Sequence, residues 1–228
     1  MKNMKKAFTL AEILIVVAII GVVAAMAIPN LNKSVNEDKY LLLYRSTVEQ
    51  LNGAFGKMIS EYGSYRNAEQ IDCPASKTPM FCATQKLTNY LDVGLNCGTT
   101  NMDKCFYIGD LSIMGDDSNT VSVDDCYYAF VLANGVAVCD RGNAYEIDLD
   151  GPNKGPNTRG IDLFRLDIQS GSLQPLPSYN TGGNDESETY VDFANYDRYN
   201  KWFFEIGNMD YLKCPDHLNW IDKHTCED

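Results

Sequence analysis

The fold of this chain is decided by its amino-terminal stretch, KKAFTLAEILIVVAIIGVVAAMAIP at residues 5–29. Residues 13–28 contain no polar side chain, and Glu12 lies directly before them. A helix over residues 8–28 would be roughly 31 Å long, which is about the thickness of the hydrocarbon core of a bilayer. The stretch therefore predicts either a membrane helix or an export signal.

The charges around this stretch give it a direction. Lys2, Lys5 and Lys6 precede the apolar run, and no acidic residue accompanies them. A positively charged flank stays in the cytoplasm, so the rest of the chain is expected to cross the membrane.

Glu12 is an acidic residue within the mostly apolar stretch at residues 8–28. A carboxylate in hydrocarbon costs roughly 3 kcal/mol, so it needs a partner. The next basic residue along the chain is Lys33, well beyond the apolar run. Two interpretations stay open: Glu12 reaches headgroups and water at the end of the helix, or it pairs with a charge from another molecule or from a nearby cleavage.

The basic leader, the sequence FTLAE at residues 8–12 and the apolar run resemble the amino terminus of type IV pilins and type II secretion pseudopilins. The resemblance implies that the prepilin peptidase cuts between Ala7 and Phe8, behind Lys5 and Lys6. It also implies that Phe8 becomes N-methylated. Glu12 would then be the carboxylate required for assembly, where it pairs with the terminal ammonium of a neighbouring subunit.

Two positions depart from the pattern of that family. Ala7 stands where glycine is usual before the cut, and Ala11 stands where a large aliphatic residue is common. A secretory signal peptide is the main alternative, because Ala25-Met26-Ala27 has the small-x-small form of a cleavage site. Against that alternative, the apolar run is longer than a usual signal core and begins beside Glu12.

The predicted organisation has four parts. Residues 1–7 are a leader, residues 8–29 a transmembrane and assembly helix, residues 30–62 an amphipathic helix, and residues 63–228 a globular head. Pro29 is expected to kink or loosen the helix at the membrane edge.

An apolar stripe follows in the second half of this helix. Its members recur at spacings of three and four residues, which predicts one helical face: Leu41, Tyr44, Val48, Leu51, Phe55, Met58 and Tyr62. We expect this face to pack on the head. A coiled coil is the alternative, and Gly53 and Gly56 disfavour it. Gly63 is expected to end the helix.

The head is predicted to contain an antiparallel β-sheet. Strands are expected at residues 126–132 and 136–139, on either side of Asn134-Gly135, which is a strong signal for a two-residue hairpin loop. Further strands are expected at 144–149, 163–168 and 202–206. Residues 64–125 are interpreted as an irregular, disulfide-linked connection with a short helix around 85–91. The predicted fold is therefore α+β, with a long amino-terminal helix on an antiparallel sheet, as the pilin resemblance also implies.

Eight cysteines follow the apolar run, in a compartment where disulfides persist: Cys73, Cys82, Cys97, Cys105, Cys126, Cys139, Cys214 and Cys226. They allow about a hundred pairings, among which the sequence does not choose. The local pairs 73–82, 97–105 and 214–226 are favoured, and pilins that close a carboxy-terminal loop add support to the last. A 126–139 pair would require a broken strand register, because disulfides need Cα atoms within roughly 7 Å.

Two metal sites can be drawn on the sequence. Cys214, His217, His224 and Cys226 have ligand types suited to zinc, but their spacing matches no common zinc module, and an oxidising compartment favours a disulfide. Carboxylates at Asp148, Asp150 and Asp162 are spaced as in a loop that wraps around Ca²⁺.

The calcium interpretation competes with a simple acidic turn. Pro152 and Arg159 stand where an EF-hand loop needs a ligand, so this is not an EF-hand. Major pseudopilins of type II secretion bind calcium in a head loop, which the resemblance adds in its favour. The residues themselves favour an acidic turn between two strands.

The function class follows from charge and motifs together. A net charge of −12 makes nucleic acid unsuitable as a main partner. The chain lacks GxSxG, HExxH, CxxC and Walker motifs, so no enzymatic activity is expected, and calcium is the one cofactor that the residues leave open. Aromatic residues are dense between 190 and 211, where core packing is a simpler interpretation than a binding surface.

We expect a structural subunit of a type IV pilus or a type II secretion pseudopilus. Its partners would be other pilin or pseudopilin subunits and the prepilin peptidase, which is also the methyltransferase. It would wait in the inner membrane as a single-pass protein, with its head on the periplasmic or extracellular side. The alternatives are a minor binding subunit at a filament tip, and an envelope-anchored or secreted binding protein or enzyme that uses the amino terminus only as a signal or anchor.

Overall fold

The computed structural model describes residues 10–113, 116–122, 126–169, 171–175, 199–214, 218 and 226. Side chains are described at residues 13–19 and 37–109 and in the later ranges from 126 onward. The chain divides into two compact units, Met1–Lys39 and Tyr40–Asp228.

Helix α1 spans Leu10–Tyr62 and contributes to both units. It continues through Pro29, so the proline does not end it, and the kink expected there stays a prediction. The helix ends at Gly63, as predicted, where a φ of 82° suits glycine. The Gly63 N–H donates to the carbonyl of Ile59 at 2.7 Å and closes the last turn.

A membrane-spanning helix was expected over residues 8–29. Among the described residues, no helix is both long enough and apolar enough to cross a bilayer.

In the second unit, the predicted stripe of α1 faces the core. Five of its members are buried: Tyr44, Val48, Leu51, Phe55 and Met58. Leu41 and Tyr62 are partly buried against the same cluster. Polar contacts supplement this packing, because Asn52 exchanges two hydrogen bonds of 2.8 Å with the backbone of Leu173. The expected packing of the stripe on the head is confirmed.

The segment between α1 and the hairpin is more regular than predicted. It contains α2 (Tyr65–Gln70), α3 (Pro79–Leu87), β1 (Val93–Gly98), β2 (Asp110–Ile113) and β3 (Asp116–Ser122), with 3₁₀ turns at Thr88–Tyr90 and Met102–Lys104. The interpretation of residues 64–125 as irregular was therefore wrong. One missed signal was the start of α3, where the Thr78 hydroxyl accepts the Phe81 N–H at 3.3 Å and Pro79 occupies the first turn.

The remaining elements are β4 (Tyr128–Leu132), β5 (Ala137–Asp140), β6 (Ala144–Asp148), β7 (Thr158–Arg159), β8 (Leu163–Gln169), β9 (Ser172–Gln174) and α4 (Tyr199–Glu205), with a 3₁₀ turn at Asp210–Leu212. The strands expected at 126–132, 136–139, 144–149 and 163–168 are confirmed as β4, β5, β6 and β8. The strand expected at 202–206 was wrong, because that segment lies in α4. Tyr199, Trp202 and Phe203 follow helical spacing, and all three are buried.

The described strands form one sheet in the order β1-β4-β5-β6-β8-β7-β2-β3, with β9 paired to β8. All pairings are antiparallel except those of the two-residue strand β7, which runs parallel to both β2 and β8. The α+β class and the mainly antiparallel sheet are therefore confirmed.

The β4–β5 hairpin has a three-residue loop rather than the two-residue loop that Asn134-Gly135 indicated. Phe130 pairs with Val138 and Ala129 with Cys139, one residue away from the expected register. The Leu132 N–H donates to the carbonyl of Val136 at 2.9 Å, and Gly135 adopts a φ of 90°. A glycine in this conformation allows the loop to close over three residues.

Both faces of the hairpin are buried. Phe130 and Val138 lie in the cluster that contains the α1 stripe. Ala129 and Cys139 lie in a second cluster, together with Cys97, Cys105, Phe106, Cys126, Ala137 and Leu163. Because alternate residues of a strand point to opposite faces, one face of the sheet packs on α1 and the other on a layer that contains two disulfides.

The eight cysteines form four disulfides, namely Cys73–Cys82, Cys97–Cys105, Cys126–Cys139 and Cys214–Cys226. The three favoured local pairs are confirmed. The disfavoured 126–139 pair also forms, with Cα atoms 5.7 Å apart, so that expectation was wrong. Cys126 precedes β4, so the strand register does not fix its distance from Cys139. The N–H of the neighbouring Tyr127 donates to the carbonyl of Asp140 at 2.7 Å, which holds this segment beside β5. Because Cys214 and Cys226 are bonded to each other, neither has a thiolate for zinc.

Truncation of Phe55 tests the contact between α1 and the head. Phe55 is fully buried and stacks on Tyr65, with ring centroids 5.1 Å apart. We expect Phe55→Ala to lower the free energy of unfolding by about 3–5 kcal/mol, because it leaves a cavity and removes this ring contact. The measurement is urea denaturation of the detergent-solubilised chain. Lys57→Ala, at an exposed position of the same helix, should change stability by less than about 0.5 kcal/mol.

Candidate functional site: the amino-terminal motif and the acidic loop

The residues of the processing motif lie at and before the start of α1. Lys5, Lys6, Ala7 and Phe8 lie outside the described residues. Glu12 lies in the first turn of the described helix, so its backbone is helical. The roles predicted for these residues, including the cut before Phe8, stay predictions.

The turns that follow Glu12 are apolar on every side. All residues from 13 to 19 are exposed, and the large side chains range from 51% exposure at Ile13 to 62% at Leu14. Seven consecutive helical residues cover about two full turns, so no face of this segment is polar. A helix that is apolar all round is stable only when lipid or other protein covers it. Residues 13–19 therefore present an apolar surface that extends around about two turns of the helix.

The head contains a second candidate site, an acidic loop between β6 and β8. We use the name acidic loop for residues 148–162. Asp148 ends β6, Asp150 begins the turn, and Asp162 precedes β8. Asp148 and Asp162 are fully buried, whereas Asp150 is half-buried. Burial of carboxylates requires hydrogen bonds or counter-charges, so the partners of each oxygen decide what this loop can do.

Asp162 folds the loop through its backbone contacts. Its Oδ1 accepts the Thr158 N–H at 2.7 Å, and its Oδ2 accepts the Asn157 N–H at 2.8 Å. Asn157 has a φ of 54°, which turns its amide towards this carboxylate. Both oxygens of Asp162 are thus engaged within the loop.

Asp148 and Asp150 each use one oxygen in the same way. Asp148 Oδ1 accepts the N–H groups of Asp150 and Gly151 at 3.2 and 3.0 Å. Asp150 Oδ2 accepts the hydroxyl of Tyr40, on α1, at 3.1 Å. The other oxygen of each carboxylate, Asp148 Oδ2 and Asp150 Oδ1, is buried without a hydrogen-bond partner, and so is Asn157 Oδ1.

Burial of these carboxyl groups close to one another in sequence changes their pKa values. Burial, followed by a side-chain hydrogen bond with the Asp150 carboxyl and by the charges of Asp150 and Asp162, raises the pKa of Asp148 to about 8. Burial also raises the pKa of Asp162, although the N–H groups of Thr158 and Asn157 oppose the change. Burial and the neighbouring carboxylates raise the pKa of the Tyr40 hydroxyl. The loop therefore disfavours the ionised forms of Asp148 and Asp162.

The predicted calcium ligands are not assembled as a set of three. Within the described ranges, no group of three or more His, Cys, Asp or Glu side chains could hold a metal ion. Asp162 is occupied by backbone amides, whereas Asp148 and Asp150 keep free oxygens. Oxygen donors from carboxylates and an amide are of the kind that Ca²⁺ takes. A calcium site in this loop stays a prediction.

Arg159, which interrupts the EF-hand pattern, has a structural partner that sequence reasoning missed. Its guanidinium forms two hydrogen bonds with the buried carboxylate of Glu146, at 2.7 and 2.8 Å. Glu146 lies in the middle of β6 and is fully buried. A charged residue at the centre of a buried strand was the available signal, because such a position needs a paired charge.

Asp140 was also missed. It is fully buried at the end of β5, where it accepts the Thr84 hydroxyl at 2.5 Å and the Gly142 N–H at 2.7 Å. Thr84 also bonds to the hydroxyl of Tyr145 at 2.8 Å. Burial outweighs these bonds and raises the pKa of Asp140 to about 6. An aspartate two residues before a glycine is a turn signal that could have located it.

Residues 2–28 match the family model described as the prokaryotic N-terminal methylation motif. This motif is characteristic of type IV pilins and pseudopilins. The chain therefore carries the amino-terminal motif of that class, as its sequence resemblance indicated. Comparisons with curated proteins and with solved structures found no match. The match supports a pilin-like protein that is processed as a prepilin.

The buried Asp140 predicts a pH dependence of stability. Its pKa rises from 3.8 to about 6 on folding, so between these values the folded state keeps a proton that the unfolded state has lost. As the pH rises through this window, the free energy of unfolding should fall by about 2–3 kcal/mol on account of this group and then level off. In Asp140→Asn this component should be absent.

The measurement is urea denaturation of the wild type and Asp140→Asn at a series of pH values from 4 to 7. Other carboxyls contribute equally to both proteins, so the difference between the two curves isolates Asp140. Asp103→Asn, at an exposed position, is the control and should follow the wild type. A constant difference between wild type and Asp140→Asn across the window would show that Asp140 is not responsible.

Proposed function

We propose that this protein is a structural subunit of a helical filament, either a type IV pilus or a type II secretion pseudopilus. The observation that carries the proposal is the match of residues 2–28 to the N-terminal methylation motif. The exposed, entirely apolar turns at residues 13–19 support it, because such a surface needs lipid or other helices around it.

Before assembly, the inner membrane is the proposed location. The lysines that precede the apolar run keep the leader in the cytoplasm, and the head lies on the far side. The four disulfides of the head suit an oxidising compartment. In this state lipid covers the apolar turns of the chain.

Processing converts this membrane protein into an assembly unit. Cleavage between Ala7 and Phe8 removes the leader and creates a terminal ammonium close in sequence to Glu12. N-methylation of Phe8 leaves an amine that still carries its charge. A carboxylate in hydrocarbon is costly without a partner, so Glu12 favours a position beside the terminal ammonium of another subunit. Assembly then exchanges lipid contacts for helix contacts.

The head gives each subunit a stable exterior. Its sheet packs on the second half of α1 through the buried stripe, so the helix serves as the internal support of the head. The proposal assigns no chemical reaction to the protein, and its partners are other subunits and the prepilin peptidase. The absence of recognisable catalytic motifs in the sequence supports this part of the proposal.

The role of Glu12 is tested by Glu12→Ala. We expect the variant to be cleaved as the wild type is, but to be lost from filaments, because its helix no longer carries the carboxylate that pairs with the neighbouring ammonium. The measurement is the amount of protein in sheared surface or periplasmic filaments relative to the membrane fraction. Glu49→Ala, at an exposed position of α1, is the matched control and should assemble. Normal incorporation of Glu12→Ala would contradict the proposal.

The processing step is tested by mass spectrometry of the mature chain. We expect the first residue to be Phe8, with the added mass of one methyl group on its amine. A mature terminus at Ile28 would instead indicate cleavage by a signal peptidase after Ala27. That result would support a secreted protein and reject the filament subunit.

A further inference from the structure

We propose that α2 and α3 form a cover that opens from the sheet as one unit, and that loss of a proton from Asp140 favours the open form. We use the name cover for residues 65–87. The inference goes beyond the proposed filament function and does not depend on it. It concerns the opening of one segment in a folded chain, which is distinct from unfolding of the whole chain.

The cover is held together by its own contacts. The Cys73–Cys82 disulfide joins the segment after α2 to α3. The Lys86 ammonium, near the end of α3, donates to the carbonyl of Ala68 at 2.7 Å and also to that of Ile71. These contacts connect α2 to α3 independently of the sheet. The two helices are therefore expected to move together.

The cover buries little large apolar surface against the rest of the head. Two ring contacts reach outside it, Phe81 with Tyr128 at 5.3 Å and Tyr65 with Phe55 at 5.1 Å between centroids. The buried residues of its two helices are mostly small: Ala68, Cys82, Ala83, Thr84 and Leu87. A segment with few buried apolar groups opens at a lower free energy than the core of a fold.

Buried hydrogen bonds connect the cover to the sheet. The Thr84 hydroxyl, on α3, donates to Asp140 at the end of β5 at 2.5 Å, and its oxygen lies 2.8 Å from the hydroxyl oxygen of Tyr145 in β6. All three residues are fully buried. Because Thr84 has one hydroxyl hydrogen, Tyr145 is the donor in the second bond when Asp140 is ionised. Opening of the cover breaks both bonds and admits water to the carboxyl.

The groups that surround Asp140 give it little counter-charge. Glu69 of α2 is a like charge, which raises the pKa of Asp140. Arg141, the adjacent cation, lies 3.6 Å from a buried carboxylate of β6. Tyr65 of α2 and Tyr145 of β6 interact with Asp140, and burial raises the pKa of both hydroxyls, which keeps them neutral. On β4, the residue paired with Asp140 is a tyrosine.

Burial therefore decides the sign of the proton effect. The Thr84 hydroxyl and the Gly142 N–H favour the ionised form of Asp140, but burial outweighs them and raises its pKa from 3.8 to about 6. In the open form water reaches the carboxyl, and its pKa returns towards 3.8. As the pH rises, the open form releases its proton first, so opening becomes easier up to about pH 6 and then levels off. The cover would thus close in acid and open more readily at neutral pH.

The test is hydrogen–deuterium exchange of the full-length chain in detergent at pH values from 4 to 7. The protection factor of each amide removes the pH dependence of exchange in an unstructured peptide. A detached helix of nine residues is marginal in water, so the amides of α3 exchange when the cover opens. We expect their protection to fall by about fiftyfold between pH 4 and pH 7 and to level off above pH 6.

Urea below the unfolding transition separates opening of the cover from global unfolding. The protection of α3 amides should depend little on urea, because local opening exposes little surface. The protection of β5 and β6 amides should fall steeply with urea, because their exchange requires unfolding of the head. Equal urea dependence in α3 and β6 would overturn the proposal.

Variants of two residues connect the opening with the proton. Asp140→Asn has no proton to lose, so the protection of its α3 amides should stay constant from pH 4 to pH 7. Thr84→Val removes the donor to the carboxylate, which should move the fall in protection to higher pH. Thr84→Ser keeps the hydroxyl and should behave as the wild type does. A wild-type fall in Asp140→Asn would overturn the proposal.

Two further outcomes keep the assignment testable. Thr84→Val leaves Asp140 in place, so it tests the same proton if Asp140→Asn does not fold, and an unshifted fall in Thr84→Val would overturn the link between the cover and this carboxyl. Glu69→Gln removes the neighbouring carboxyl of α2 and should keep the fall in protection. Loss of the fall in Glu69→Gln would assign the proton to Glu69 and overturn the proposal.

Discussion

The cost of exposing an entirely apolar helix to water constrains every other part of this chain. Residues 13–19 present apolar side chains on all sides, so neither a one-sided contact nor a small cap can cover them. Lipid or a ring of similar helices can. Under the proposed function the surroundings of this segment change between membrane and filament, so the head could not depend on the segment for its own stability. The head needs an independent core.

That core is built by using both faces of one sheet. One face receives the stripe of α1 and the aromatic residues of α4, and the other face receives a layer stabilised by two disulfides. Burial on both sides leaves little room for charge, yet the sheet buries Asp140, Glu146 and Asp148. Glu146 is matched by Arg159, and Asp140 by hydroxyl and amide donors. Asp148 has one oxygen without an N–H or hydroxyl donor, and its pKa is raised. Its ionised form is therefore less well stabilised than those of the other two.

Sequence reasoning predicted the features that depend on local periodicity. The α1 stripe, its end at Gly63 and strands β4, β5, β6 and β8 each follow from regular spacing or a single turn residue. It failed where tertiary context overrides local pattern. The aromatic run of α4 resembles a strand because its residues are β-formers, although their spacing suits a helix. Cys126 was assigned to the register of β4, but it lies before that strand begins. The position of its side chain relative to Cys139 therefore could not be predicted from the register.

The acidic loop illustrates the same division. The spacing of residues in the sequence located the carboxylates of Asp148, Asp150 and Asp162, but it did not predict which groups their oxygens contact. Asp162 is engaged by the amides of residues 157 and 158 through a left-handed turn at Asn157, and nothing in the spacing specifies that turn. The Tyr40 hydroxyl that donates to Asp150 lies on α1, more than a hundred residues away in sequence. Only the folded chain brings it to the loop.

The position of the disulfides has a mechanical consequence. None of the eight cysteines lies in α1, and each bridge joins residues at most 13 apart in sequence. Tension drawn along α1 would reach the sheet through side-chain packing, through the backbone that continues from Tyr62 into α2, and through a few hydrogen bonds, such as those of Asn52 with Leu173 and of Arg45 with the carbonyl of Phe204. Because these contacts lie along one helix, axial load would shear them together rather than one at a time. Under sufficient force the helix would slide from the sheet while every cross-linked loop stayed closed, and the head could dock again when the load was released.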